Sequence, residues 1–92
     1  MKNINNLNEI ELKDTTSMMT SSDYKERFKA EYIQILIRYQ KLKTMLCNWD
    51  RGTLNFSPTC PRSLYDLQIS AMKDYLAILE ARACIEGITL ES

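Results

Sequence analysis

Apolar residues recur at helical spacing through the first half of the central region. Seven of them, separated by alternating steps of four and three, are Phe28, Tyr32, Ile35, Tyr39, Leu42, Leu46 and Trp49. This heptad pattern is typical of a helix packed lengthwise against another helix. Ile33, Leu36 and Ile37 lie beside the stripe and widen it. The pattern therefore predicts a long helix with a broad apolar face.

Capping residues mark both ends of this first predicted helix. Asp23 and Glu26 have the spacing of a capping box, with Asp in place of the usual Ser or Thr. Arg51 places a cation in the last turn, and Gly52 suits the left-handed position that follows a helix. Together they predict a helix over about 23–51.

A second helix is predicted over about 61–86, after a link at residues 52–60. Pro61 suits the first position of a helix, and Gly87 suits the cap at its end. Two helices of roughly 40 Å joined by a short link predict an all-α fold with a long antiparallel two-helix hairpin. Apolar residues of the second helix form two neighbouring stripes, Leu64, Ala71, Tyr75, Ile78 and Ile85 against Tyr65, Met72, Leu76, Leu79 and Ala83.

Residues 1–20 differ in character from the rest of the chain. They are rich in Asn, Thr and Ser, and their apolar residues are scattered: Ile4, Leu7, Ile10 and Leu12. This composition predicts a flexible N-terminal arm, and a short helix or strand that docks onto a partner is the alternative. The predicted organisation is an arm at 1–20 and a helical hairpin domain at 21–92.

The two helices carry more apolar surface than one seam can bury. Ile33, Ile37, Met45 and one stripe of the second helix would remain exposed in a single hairpin. Exposure forgoes roughly 1.5–3 kcal/mol for each large side chain, and the sum rivals the stability of a small domain. We therefore expect a helical-bundle homo-oligomer, or a different protein bound to the same face.

Composition narrows the classes of function. The 92 residues include 12 Lys and Arg, 12 Asp and Glu, and no His. Balanced charge gives no overall attraction to nucleic acid or an anionic membrane, and no apolar run approaches the roughly 20 residues of a membrane span. The start of the chain does not resemble a secretory signal, so we expect an intracellular protein.

The chain lacks side chains on which several types of catalysis usually depend. Without His, the commonest general base and the commonest transition-metal ligand are missing. Cys47, Cys60 and Cys84 have no CxxC spacing, and we expect structural thiols in a reducing compartment. The sequence therefore predicts a binding protein and not an enzyme, with no cofactor and no metal.

The hairpin tip is one candidate binding site. The start of the second helix presents backbone N–H groups and a dipole that favour an anion. Hydroxyls, guanidiniums and one indole ring surround it: Thr59, Ser63, Arg51, Arg62 and Trp49. One interpretation is a nucleotide site, in which arginines bind phosphate and the indole stacks on a base. In the alternative, the hydroxyls cap the helix, the indole fills the end of the core and the arginines are solvated.

Arg82 is a second candidate, because it falls on an otherwise apolar stripe of the second helix. One interpretation is a salt bridge across the hairpin to Glu26 or Glu31, with the aliphatic stem buried. The other is a cation that projects into a cavity between subunits and meets an anionic ligand.

Three segments between Asp23 and Leu90 carry a resemblance: DYKERFKAEYIQILIRYQKLKTML, WDRGTLNFSPTCP and MKDYLAILEARACIEGITL. They resemble a family of small proteins encoded by bacteriophages of gut bacteria and named for its relation to a crAss-like phage gene. PTCP and LExRAxIEGI are the most specific pieces. The resemblance implies a phage protein that acts in the cytoplasm of an infected host cell, and it assigns no site residues.

Small accessory proteins of phages often counter host defence, and several are tiny helical oligomers that trap nucleotide immune signals. By this analogy, the leading hypothesis is an anti-defence protein that sequesters a nucleotide second messenger without degrading it. The messenger would be a cyclic oligonucleotide or of cyclic ADP-ribose type. The alternatives are a helical inhibitor of a host defence protein and a structural or regulatory phage protein.

Overall fold

The computed structural model describes residues 11–90, and every regular element in that range is helical. A 3-10 turn, Leu12–Thr15, leads into a short helix α1, Thr16–Met19. The two long helices are α2, Tyr24–Arg51, and α3, Arg62–Glu86. The predicted all-α class is confirmed.

Local capping explains where α2 begins and ends. The Asp23 side chain accepts a hydrogen bond of 2.9 Å from the Lys25 N–H, and so caps the first turn. Gly52, with a φ of 72°, ends the helix in the left-handed conformation, and its N–H donates to the Asn48 and Trp49 carbonyls. These are the residues that the sequence pattern assigned to the two ends.

The start of α3 differs slightly from the prediction, while its end agrees with it. Pro61 precedes the helix as its N-cap, and Arg62 is the first helical residue. Gly87, with a φ of 68°, ends α3, and the Ile88 N–H donates to the Ala83 carbonyl at 2.8 Å. The Ile88 side chain is buried, and it supplies the hydrophobic contact that accompanies such a cap.

Contacts at both ends show that α2 and α3 run antiparallel. Near the link, the rings of Trp49 and Tyr65 meet edge to face with centroids 5.9 Å apart. At the opposite end, the Tyr24 hydroxyl donates to Glu86 at 2.9 Å. The end of α2 therefore lies beside the start of α3, as the hairpin prediction requires.

The core selects one of the two apolar stripes of α3. Leu76, Leu79 and Ala83 are buried against α2, whereas the other stripe faces outward. Leu67, which was in neither predicted stripe, is exposed on the same side of α3. We call the large exposed residues of this side the outer stripe: Leu64, Leu67, Tyr75, Ile78 and Ile85.

The N-terminal region differs from the predicted flexible arm at 1–20. The buried Thr15 hydroxyl donates to the Leu12 carbonyl at 2.7 Å and accepts from the Gln34 amide at 3.0 Å. Leu12 and Met18 pack against the core. Residues 12–19 therefore form a packed element on α2, and the part of the arm at 1–10 lies outside the described residues.

Two isoleucines of α2 are buried, although the sequence pattern predicted that they would be exposed in a single hairpin. Ile33 and Ile37, expected to remain exposed in a single hairpin, are only 1% and 6% exposed within one chain. They belong to the core cluster against which Leu12 and Met18 pack. The surplus apolar surface therefore lies mainly on the outer stripe of α3 and not on α2.

Candidate functional site

Arg62 holds the hairpin tip together. Its two terminal nitrogens donate to the Asp50 carboxylate at 2.6 and 3.3 Å, which joins the end of α2 to the start of α3. Its Nε donates to Asp66, one turn further along α3, at 2.9 Å. All three nitrogens of the guanidinium therefore donate to carboxylates of the same chain.

These contacts change the charge that the tip offers to a ligand. The hydrogen bond from Arg62 holds the pKa of the Asp50 carboxyl below its ordinary value of 3.8. The hydrogen bonds that Arg62 donates to Asp50 and, to a lesser degree, to Asp66 raise the pKa of Arg62 above its ordinary value. Arg62 is therefore held by charge-assisted hydrogen bonds to two acidic side chains of its own chain, Asp50 and Asp66. A phosphate would have to displace them to reach Arg62.

The indole of Trp49 is engaged as well. The Arg62 guanidinium lies 5.3 Å from the Trp49 ring centroid, and the Tyr65 ring packs edge to face against the indole. The arginine therefore occupies one face of the ring that was predicted to stack on a base. The structure brings Trp49 and Arg62 together in a contact that joins α2 to α3.

The other predicted tip residues are Arg51, Thr59 and Ser63, and all three are exposed. Within the described residues, neither hydroxyl bonds to the first turn of α3, where the Leu64 N–H donates to the Pro61 carbonyl. The capping role that the alternative interpretation assigned to Thr59 and Ser63 is therefore absent. Their part in ligand binding stays a prediction.

Arg82 has a similar environment at the opposite end of the hairpin. Its guanidinium lies 4.9 Å from the Phe28 ring centroid, and Nη2 donates to the Tyr24 hydroxyl at 2.9 Å. Nε donates to Glu86, four residues along α3, at 3.3 Å. Arg82 thus lies over an aromatic ring on α2 while it pairs with an acid on its own helix.

The salt bridge expected across the hairpin from Arg82 does not form. Among the described residues its acidic partner is Glu86, whereas Glu31 accepts a hydrogen bond from the Tyr75 hydroxyl. Arg82 also lies 20 residues from Arg62, about 30 Å along a helix. The predicted site residues therefore occupy two separate places, the tip and the open end.

A cleft that the sequence pattern did not predict lies beside the tip. The left-handed Gly52 turns the chain, and the Thr53 N–H and hydroxyl both bond to the Asn48 carbonyl, at 2.9 and 3.2 Å. The link then folds back beside one face of α2 and borders an open groove with a volume of about 370 Å³. We call this the link cleft; its walls are Lys41, Thr44, Met45 and Asn48 from α2 with Thr53, Leu54, Asn55 and Phe56 from the link.

A second open cleft of about 370 Å³ lies towards the other end of the hairpin. Glu80 is the charged residue that lines this cleft, and the Tyr32 hydroxyl donates a hydrogen bond of 2.7 Å to its carboxylate. Negative charge makes this cleft a poor site for phosphate, in contrast to the link cleft with Lys41.

In the part of the chain that the structure describes, the cysteines and the acidic residues form no metal centre. Cys47 and Cys84 are exposed and Cys60 is half-buried. None of the three thiols is therefore a core residue, although structural thiols were expected. Between residues 11 and 90, no three His, Cys, Asp or Glu side chains come together to hold a metal ion. No helix in the described range has the length and apolarity needed to cross a membrane.

Comparison with family models matches residues 22–85 to the family described as Sequestin. Comparisons with curated proteins and with solved structures find no match. The matched segment contains α2, the link and nearly all of α3, and it leaves out the packed N-terminal segment. The relation to a crAss-like phage gene stays a prediction. Because the match spans more than half of the 92 residues, the chain belongs to the Sequestin family.

Proposed function

We propose that this protein sequesters a nucleotide second messenger without degrading it, and thereby protects a bacteriophage from the defence of its host. The messenger would be a cyclic oligonucleotide or of cyclic ADP-ribose type, bound in the host cytoplasm. Family membership over residues 22–85 carries the proposal, because the family is named for sequestration.

The charge pattern of α2 supports a phosphate-containing ligand. Between Glu31 and Asp50 the helix has no carboxylate, but it has three cations: Arg38, Lys41 and Lys43. Lys43 lies 5.8 Å from the Tyr39 ring centroid, while Arg38 and Lys41 are exposed. Arg38 and Lys41, three residues apart on one face of α2, therefore give the neutral chain a local positive surface, which attracts phosphate groups more than its net charge suggests.

The outer stripe supports self-association. Leu67 and Ile85 are 69% and 86% exposed on a helix whose opposite stripe is already buried. A second copy that packs on this stripe would remove its side chains from water. We propose a helical-bundle homo-oligomer, because an apolar stripe on one helix is suited to pairing with its own copy around a twofold axis.

Calorimetry with the purified full chain tests the proposed function. Cyclic dinucleotides, cyclic oligoadenylates and cyclic ADP-ribose isomers are titrated in turn, with the corresponding linear nucleotides as controls. We expect a Kd of about 1 μM or tighter, equivalent to about −8 kcal/mol, for at least one cyclic ligand. Chromatography should then recover that ligand unchanged. Binding no tighter than millimolar across the panel, or recovery of a cleaved product, would contradict the proposal.

A helical inhibitor of a host defence protein is the second candidate, because the exposed outer stripe could dock on a different protein instead. This function predicts a monomer that binds none of the nucleotides and forms a stoichiometric complex with one purified defence enzyme. Light scattering of the protein alone and mixed with that enzyme distinguishes the two candidates.

A further inference from the structure

Taking the proposed nucleotide-binding function as a basis, we infer that the link cleft binds an adenine-nucleotide moiety of the ligand. Phe56 stacks on the base, the amides of Asn48 and Asn55 contact its edge, and Lys41 pairs with the phosphate. This assignment moves the centre of the ligand site from Arg62 at the tip to the groove under the link.

The cleft is an open groove with room for a small molecule. Four residues of α2 at positions i, i+3, i+4 and i+7 form one wall, and residues 53–56 form the other. The turn at Gly52 and Thr53 fixes the link against α2 through bonds to the Asn48 carbonyl. Its volume of about 370 Å³ lies in the range of roughly 300–1,000 Å³ that is usual for ligand pockets.

An aromatic ring is available for stacking in this cleft. Phe56 is 54% exposed, whereas Leu54, two residues earlier in the link, is half-buried. Nucleotide-binding proteins stack bases on aromatic side chains of this kind, because each base offers a flat π-face. Trp49, the aromatic residue first predicted for this role, has its ring in contact with Arg62 and Tyr65.

The two asparagines favour adenine over guanine. Each amide offers one acceptor and a pair of donors, and such an amide pairs with the donor at N6 and the acceptor at N7 of adenine. Guanine presents two acceptors on the equivalent edge, which arginine or lysine matches better. Asn48 and Asn55 lie on opposite walls, one on α2 and one on the link, so a base between them meets an amide on either side.

Lys41 is the cation that lines the link cleft. It is exposed and forms no ion pair with the described residues, and on α2 the nearest acids in sequence are Glu31 and Asp50. Arg62, by contrast, is paired with two carboxylates. An ammonium without a carboxylate partner attracts phosphate without an intramolecular competitor.

Nuclear magnetic resonance of the ¹⁵N-labelled full chain tests the assignment with simple probes. AMP, GMP and inorganic phosphate are titrated separately. We expect AMP to shift the amides of Thr44, Asn48, Asn55 and Phe56, and GMP to bind at least about fivefold more weakly, as for the loss of a paired base edge. Shifts centred on Arg62 or Arg82, equal affinity for AMP and GMP, or no shift with any probe would overturn the assignment.

Variants of exposed residues make the test specific. Phe56→Ala should weaken AMP binding about tenfold, the loss expected for one stacked base, and Phe56→Trp should retain it. Lys41→Glu should weaken AMP binding but leave adenosine binding unchanged. Lys25→Glu makes the same charge change about 24 Å away along α2 and should have no effect. Circular dichroism should show native helicity in all four variants, and an unchanged AMP affinity in Phe56→Ala would overturn the assignment.

The experiments can overturn the cleft assignment and the proposed function independently of each other. If a cyclic messenger binds but Phe56→Ala and Lys41→Glu leave its affinity unchanged, the cleft assignment is overturned and the function stands. If no cyclic messenger binds but AMP shifts the cleft amides and both variants weaken it, the function is overturned and the cleft assignment stands.

Discussion

At the residue scale, two of the arginines predicted as ligand contacts, Arg62 and Arg82, have intramolecular partners. Arg62 lies over Trp49 and Arg82 over Phe28, at 5.3 and 4.9 Å from the ring centroids. A planar guanidinium can stack on a ring and use its edge for hydrogen bonds, which lysine cannot reproduce. Each arginine therefore connects α2 to α3 at one end of the hairpin.

The Asp50–Arg62 pair predicts a specific response to acid. Because the pKa of Asp50 is below 3.8 in the folded chain, its pairing stabilises the fold above that value and is lost as the pH falls through the folded pKa. Between about pH 5 and about pH 2, the Tm of the wild type should therefore fall further than that of Asp50→Asn. The difference should be small, because the Asp50 side chain is 65% exposed.

Thermal melts across this pH range measure the effect. Asp74→Asn is the matched control, since it removes an exposed carboxylate from α3 away from the tip. Its Tm should follow the wild-type dependence on pH. Superimposable curves for Asp50→Asn and the wild type would show that the pair does not stabilise the fold.

At the scale of elements, helix boundaries follow from local chemistry. Asp23, Gly52 and Gly87 each act on backbone groups within one turn, so their roles were predictable from the sequence. The segment Leu12–Met19 was not predictable in the same way, since α1 has only four residues. A helix this short is unstable alone and depends on the surface that it covers.

Leu12 tests whether the N-terminal segment stabilises the hairpin. It is half-buried against the core, so Leu12→Ala should lower the free energy of unfolding by about 1–2 kcal/mol, less than the roughly 2–5 kcal/mol of a fully buried leucine. Lys13→Ala, at the neighbouring exposed position, is the control and should change it little. Urea unfolding followed by circular dichroism gives both values, and equal midpoints would contradict a packed segment.

At the scale of the whole molecule, the outer stripe predicts self-association. Light scattering of the wild type at micromolar concentration should give at least twice the mass of one chain. Ile78→Glu should lower that mass, because a charge buried in an apolar seam is costly. Helicity should persist, since Ile78 is 58% exposed within a single chain.

Ala77→Glu is the matched control for this experiment. Ala77 is also exposed on α3, but it lies about 100° around the helix from Ile78, away from the outer stripe. Its mass should equal that of the wild type. A wild-type mass of one chain at micromolar concentration would refute self-association through α3.

Substitutions at the two ends of the hairpin should differ in their effect on ligand affinity. With the ligand in the link cleft, Arg82→Gln should leave messenger affinity unchanged, because Arg82 lies at the far end of α3. Phe56→Ala should weaken it about tenfold. Calorimetry with the same messenger compares the two variants. The reverse order would place the ligand between subunits at the open end, as the original interpretation of Arg82 allows.

The sequence by itself determined the two long helices, their caps and their antiparallel pairing, because heptad spacing and capping act within a few residues. Only the tertiary structure decided which stripe of α3 is buried, since both stripes are similarly apolar and packing selects the angle around the helix. It also decided that Arg62 is neutralised by Asp50 and that the link folds over Lys41. These contacts join residues that are distant in sequence, and no local pattern encodes them.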